Sequence, residues 1–220
     1  MTSKEPSVAK RVSWKVLVLV GVVAVGVRLG LFLLGPMADV SRAFAADTER
    51  YVELAENLKH KHAFVLEHGE APDTVYYPVQ ILREKQGQSP ERDGVWPEGI
   101  RTPGYPVFLI PFLGWDAGLH VALLVQCLLS AASAMLIAWI GSWFGLLPWQ
   151  SAVAGLILAL HPGDALYANL LLTETLAVFC MTAGLALLLL AVRRRQRIGW
   201  VTWWGRAWRR VCPRRGRSRR

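Results

Sequence analysis

Two short runs hold the residue types best suited to chemistry. Asp47-Thr48-Glu49-Arg50-Tyr51 stands near the start of a polar stretch, residues 37–104, and Arg101-Thr102-Pro103-Gly104-Tyr105-Pro106 closes it. Strongly apolar sequence flanks this stretch on both sides. If the flanks cross a bilayer, the stretch is a loop pinned to the membrane surface at both ends. An acid and a base then meet at about the height of a lipid phosphate. Asp47 falls where a surface helix would begin, so exposed backbone N–H groups favour its ionised carboxylate. Plain capping of that helix is the competing reading.

The elements that must hold these residues follow from the composition. The 220 residues are 53% hydrophobic with a mean hydropathy of +0.31, and the apolar residues come in blocks of spanning length instead of alternating with polar ones. That describes an all-α integral membrane protein. A net charge of +9 and a pI of about 9.9 would also suit nucleic acid, but the surplus lies at the ends. Lys4, Lys10, Arg11 and Lys15 precede the first apolar block, and Arg193-Arg194-Arg195 with an Arg-rich tail follow the last. This is the positive-inside bias, so topology explains the charge and no nucleic-acid partner is needed. Cys127 and Cys180 sit inside apolar blocks and Cys212 in the basic tail, which matches neither a disulfide framework nor a zinc pattern.

In chain order, residues 1–13 form a basic cytoplasmic terminus and 14–36 a first span. Ala43-Phe44-Ala45 would pass for a signal-peptide cleavage site, but the apolar run is longer than a usual signal core and further apolar blocks follow. Gly26 and Gly30 form a small-xxx-small pair that would admit a neighbouring helix. Arg28 is costly in lipid and faces protein, water or a headgroup, or else snorkels to the interface. The loop, 37–104, carries an amphipathic helix over 44–60 with Phe44, Tyr51, Leu54, Ala55 and Leu58 on one stripe, which is expected to lie along the membrane surface. His60, His62, Glu67, His68 and Glu70 match no metal motif and read as solvated loop. Residues 105–145 hold an interfacial segment and a second span, with Gln126 and a small-residue face at Ser130, Ala131, Ser133 and Ala134.

Residues 148–192 hold a third and a fourth helix, divided by the break His161-Pro162-Gly163-Asp164. The third starts at Pro148 and is too short for the hydrocarbon core, so the break lies below the outer surface, lining a cavity or covered by protein. The fourth starts at Ala165 and carries Glu174 in its outer third, where a carboxylate among leucines is functional or pairs with Arg28 or Arg101. About four transmembrane helices put both termini in the cytoplasm and the large loop outside a cell membrane. The tail, 193–220, alternates Trp and Arg. It reads equally as an interfacial segment binding anionic lipid or as translation out of the natural frame.

Several words in this order resemble one family. They are Asp47-x-x-x-Tyr51-x-x-x-Ala55-x-x-Leu58, Arg101-Thr102-Pro103-Gly104-Tyr105-Pro106-x-Phe108-Leu109, Leu124-Val125-Gln126, Leu160-His161-Pro162, and Leu171-Leu172-Thr173-Glu174-Thr175-Leu176. The chain is similar, over about residues 14–192, to the amino-terminal part of C-type glycosyltransferases of family 39, the dolichyl-phosphate-mannose protein mannosyltransferases and their bacterial relatives. The resemblance implies transfer of a sugar from a polyprenyl-phosphate donor to an extracytoplasmic hydroxyl. It implies Asp47 as general base, and the chemistry then asks Arg101 to bind the donor phosphate. Glu174 becomes a second carboxylate that orients the acceptor, holds a divalent cation or pairs an arginine. Family members have more spanning helices, so a protein partner would supply the missing ones, or the chain is an inactive piece of a longer enzyme. Two other classes stand beside this reading. One is a non-catalytic membrane scaffold or assembly factor binding through the 37–104 loop. The other is a small transporter or channel component, against which the sequence shows neither repeated halves nor a second broken helix in a matching position.

Overall fold

The structure is a computed structural model that describes residues 12–45, 47–66, 96–99 and 101–211. Among the described residues three helices are long and apolar enough to cross a membrane: α1 (Trp14–Leu34), the later α4 (Gly118–Trp143), and the segment Glu174–Arg194 that begins α7 (Glu174–Val211). The shortest of these segments, 21 residues, gives roughly 30 Å at 1.5 Å per residue. Between α4 and α7 stands α5 (Pro148–Leu160), apolar but only 13 residues long.

Small residues set how these helices meet. Helices α1 and α4 run antiparallel, Gly21 lying against Met135 and Arg28 against Ser130, while α5 runs back along α4 with Gly155 against Ala134 and Ala138. Val20, Ala24, Ala131, Ala134, Ala138 and Ala159 form the buried core between the three. Buried positions on α1 step by four through Val20, Ala24, Arg28 and Phe32. Gly26 and Gly30 fall on another side, where an added β-carbon meets nothing within 4 Å, so the expected small-residue contact belongs to Gly21 and Gly155 instead. A methyl at Gly155 would stand 2.8 Å from the Ala138 β-carbon and 2.9 Å from the Ala134 carbonyl oxygen. Gly155→Ala should therefore lower stability by about 1–3 kcal/mol, read as reversible unfolding in detergent. An unchanged midpoint would contradict this packing.

One end of the bundle carries a cap. Helix α2 (Thr48–Lys61) buries Tyr51, Leu54 and Ala55. Tyr51 and Ala55 share a core with Tyr105 and Leu109 of α3 (Gly104–Leu109), Phe32 of α1, Ala122 and Leu123 of α4, and Leu171. The apolar stripe expected to face lipid is therefore covered by protein. Strand β1 (Val65–Leu66) pairs antiparallel with β2 (Trp96–Pro97), Val65 opposite Pro97, and Glu98 N–H donates to the Phe64 carbonyl at 3.1 Å. The two limbs of the polar stretch are thereby tied together beside α2. Lys59 Nζ donates to the Leu113 carbonyl at 2.6 Å and fastens the far end of α2 to the approach to α4. His68, Glu67 and Glu70 lie outside the described residues.

The final ascent is broken twice. After α5 come α6 (Pro162–Tyr167) and a non-helical stretch, and α7 begins at Glu174 instead of Ala165. Unwound backbone away from water needs partners for its polar groups. Here Leu171 N–H donates to the Ala43 carbonyl at 2.9 Å. The Leu171 carbonyl accepts from Thr48 Oγ1 at 3.1 Å, and that of Leu170 from Gln126 Nε2 at 2.9 Å. Helix α7 continues to Val211, past the boundary expected at residue 193.

Candidate functional site

Asp47 occupies the N-cap position of α2 but makes no side-chain cap hydrogen bond. Thr48 takes over the local backbone, its hydroxyl accepting from Ala45 N–H at 2.9 Å. The Asp47 carboxylate is thus left to turn elsewhere, and Arg101 Nη2 donates to its Oδ1 at 2.5 Å. On the other side Arg101 Nη1 donates to Glu98 Oε2 at 3.0 Å, and Arg101 N–H donates to Glu98 Oε1 at 3.1 Å. The exposures rank the three. The Glu98 side chain is 0% exposed, that of Arg101 11% and that of Asp47 49%. A buried acid therefore anchors the arginine, which holds a carboxylate open to solvent. Burial alone would pull the Arg101 pKa down, but its hydrogen bonds to Asp47 and Glu98, and their charges, outweigh it and leave it above the ordinary arginine value. Capping, the competing reading for Asp47, does not describe its side chain.

Sequence reading brought Asp47 and Arg101 forward and missed Glu98. Its signal was the spacing Glu98-x-x-Arg101, obscured by a Pro- and Gly-rich surround without periodicity.

The floor beneath the pair is aromatic. Tyr51 and Tyr105 meet edge to face at 5.2 Å, and the Arg101 guanidinium carbon lies 6.0 Å from the Tyr51 centroid. The buried Tyr105 hydroxyl donates to Gln126 Oε1 at 2.7 Å, which joins the cap to the polar position inside α4. Burial first, then the charges of Tyr51 and Glu174, push the Tyr105 phenol far up, so it stays a donor.

Glu174 is exposed at the start of α7, with Thr173 Oγ1 donating to it at 3.4 Å. It pairs with neither Arg28 nor Arg101, the alternative to a functional role: both cations are taken by other carboxylates. Among the described residues no three His, Cys, Asp or Glu side chains gather as a metal-binding set.

Arg28 is the other charged centre, and it does not snorkel. It is 0% exposed and spends all five N–H donors inside the bundle. Nε donates to Ser130 Oγ at 2.6 Å, Nη1 to the Ala24 and Ala159 carbonyls at 3.0 and 2.8 Å, and Nη2 to the Leu158 carbonyl at 3.3 Å and to the Asp164 carboxylate. Ser130 donates to the same carboxylate oxygen. The pair sits where α5 ends and α6 begins, so the cation meets the last carbonyls of one helix and the anion the first turn of the next.

Comparison with family models, with curated proteins and with solved structures gives no match for this chain.

Proposed function

We propose that the protein is a membrane-embedded glycosyltransferase, or a unit of one, that moves a sugar from a polyprenyl-phosphate donor to an acceptor hydroxyl, with Asp47 as general base. The observation that carries the reading is the half-exposed Asp47 carboxylate, free of capping duty and held at 2.5 Å by an arginine that a buried Glu98 anchors. A hydroxyl is a poor nucleophile until a positioned base takes its proton. In this reading the proton passes to Asp47 as the acceptor oxygen bonds to the sugar carbon. The bond from that carbon to the phosphate oxygen breaks, and the polyprenyl phosphate leaves. One displacement of this kind inverts the sugar carbon.

Arg101 is the group for the leaving phosphate, since a guanidinium fork suits its oxygens. Its Nη2 would exchange Asp47 for the phosphate while Glu98 keeps Nη1 in place, so arrival of the donor would free the base. Glu174, across the aromatic floor, would orient the acceptor. The proposal extends to topology: α5, α6 and residues 168–173 together make a fourth, broken crossing. Both termini then lie in the cytoplasm of a multi-pass cell-membrane protein, and the cap lies outside.

Membranes containing the chain, given a radiolabelled polyprenyl-phosphate sugar, should pass label to an acceptor that control membranes leave unlabelled. A donor left intact in both, also after addition of the host's other membrane proteins, would remove the transfer reading. A second reading then takes its place, a non-catalytic scaffold. The observation behind it is that both terminal nitrogens of Arg101 are already bound by carboxylates, as in a structural clasp.

A further inference from the structure

At the end of the bundle away from the cap, α1, α4 and α7 line an open slot of about 550 Å³ with no polar lining. Leu17 lines it from α1, Met135 and Trp139 from α4, and Phe179, Ala183 and Leu190 from α7. Its volume falls within the ~300–1,000 Å³ of ordinary ligand sites. A wholly apolar lining admits only an apolar occupant, because a buried polar group without a hydrogen bond is costly.

The mouth of the slot has a different character. Trp139 packs against Trp143 with ring centroids 4.6 Å apart, and the Arg193 guanidinium lies over the Trp143 ring at 4.1 Å. Arg193 is one turn beyond Leu190, on the same side of α7. Among the described residues no carboxylate lies within ion-pair distance of Arg193. A guanidinium resting on an indole face keeps N–H donors for an anion, and paired tryptophans suit the headgroup level of a bilayer.

We propose that the slot and Arg193 form one site for an anionic membrane phospholipid, with an acyl chain in the slot and the phosphate on the guanidinium. Charge complementarity selects this occupant, since the site offers a hydrocarbon groove ending at a cation that no carboxylate among the described residues pairs. A second copy of the chain or a partner helix in the groove would show in the test below as a dimer or as the absence of lipid. The site lies at the opposite end from Asp47 and does not depend on the transfer reading.

The test is native mass spectrometry of the full chain released from micelles containing equal phosphatidylglycerol and phosphatidylcholine of one acyl composition. Wild type should retain the anionic lipid about fivefold over the zwitterionic one, the selectivity expected from one basic residue at a headgroup. Arg193→Gln should level the two. Ala183→Phe, which fills the slot, should lose both lipids with its helical circular dichroism intact, and Ala132→Phe should do the same from the α4 side. Equal retention of both lipids by wild type would overturn the proposal. So would a preference unchanged by Arg193→Gln, or a dimer that Ala183→Phe dissociates.

Discussion

Arg28→Met should lower the free energy of unfolding by about 3–5 kcal/mol, the range found when one partner of a buried ion pair is removed. Three losses coincide at this position. The Asp164 carboxylate, whose side chain is 9% exposed, loses its counter-ion. The Ala159, Leu158 and Ala24 carbonyls each lose the side-chain donor that Arg28 supplies, and Leu158 is left with His161 N–H alone. Arg28→Lys should recover only part of the loss, because an ammonium has three donors against five and no planar fork. The double variant Arg28→Met/Asp164→Leu should be markedly more stable than Arg28→Met alone, since no buried charge is left unpaired. Reversible unfolding in detergent measures all three. If the single and double variants were equally and only slightly destabilised, the pair would not be what pins the break between α5 and α6.

That pair also marks where sequence reading reached its limit. An arginine inside an apolar helix announces that it needs a partner, but it does not say which one. Asp164 is 136 residues away, in a break whose Pro162 and Gly163 already explain an end of helix. The unwound stretch before Glu174 was hidden for a related reason. Its composition is apolar and helix-compatible, and the side chains that satisfy its backbone, Thr48 and Gln126, come from other elements. Local signals served better. The basic start and apolar run mark α1 almost to the residue, Pro148 opens α5, and the spacing of Tyr51, Leu54 and Ala55 gives the buried side of α2. What periodicity could not give was the surface that stripe would meet, because α3 and its core belong to a segment 50 residues later.

The second large effect concerns chemistry. Asp47→Asn keeps the shape of the side chain and an acceptor oxygen for Arg101, but it removes the group able to take a proton. Loss of a positioned general base costs about 10²–10⁴-fold in rate. The fold should tolerate the change, because the Asp47 side chain is half-exposed and makes no cap hydrogen bond to α2. Rate and stability should therefore separate at residue 47, whereas at residue 28 a loss of stability is the primary effect.

Sugar transfer from a radiolabelled polyprenyl-phosphate donor, measured side by side for wild type and Asp47→Asn at equal folded amounts, tests the central claim most directly. The account predicts transfer by wild type and a fall of at least about a hundredfold in the variant, with an unchanged unfolding midpoint. Equal turnover by the two proteins would contradict it.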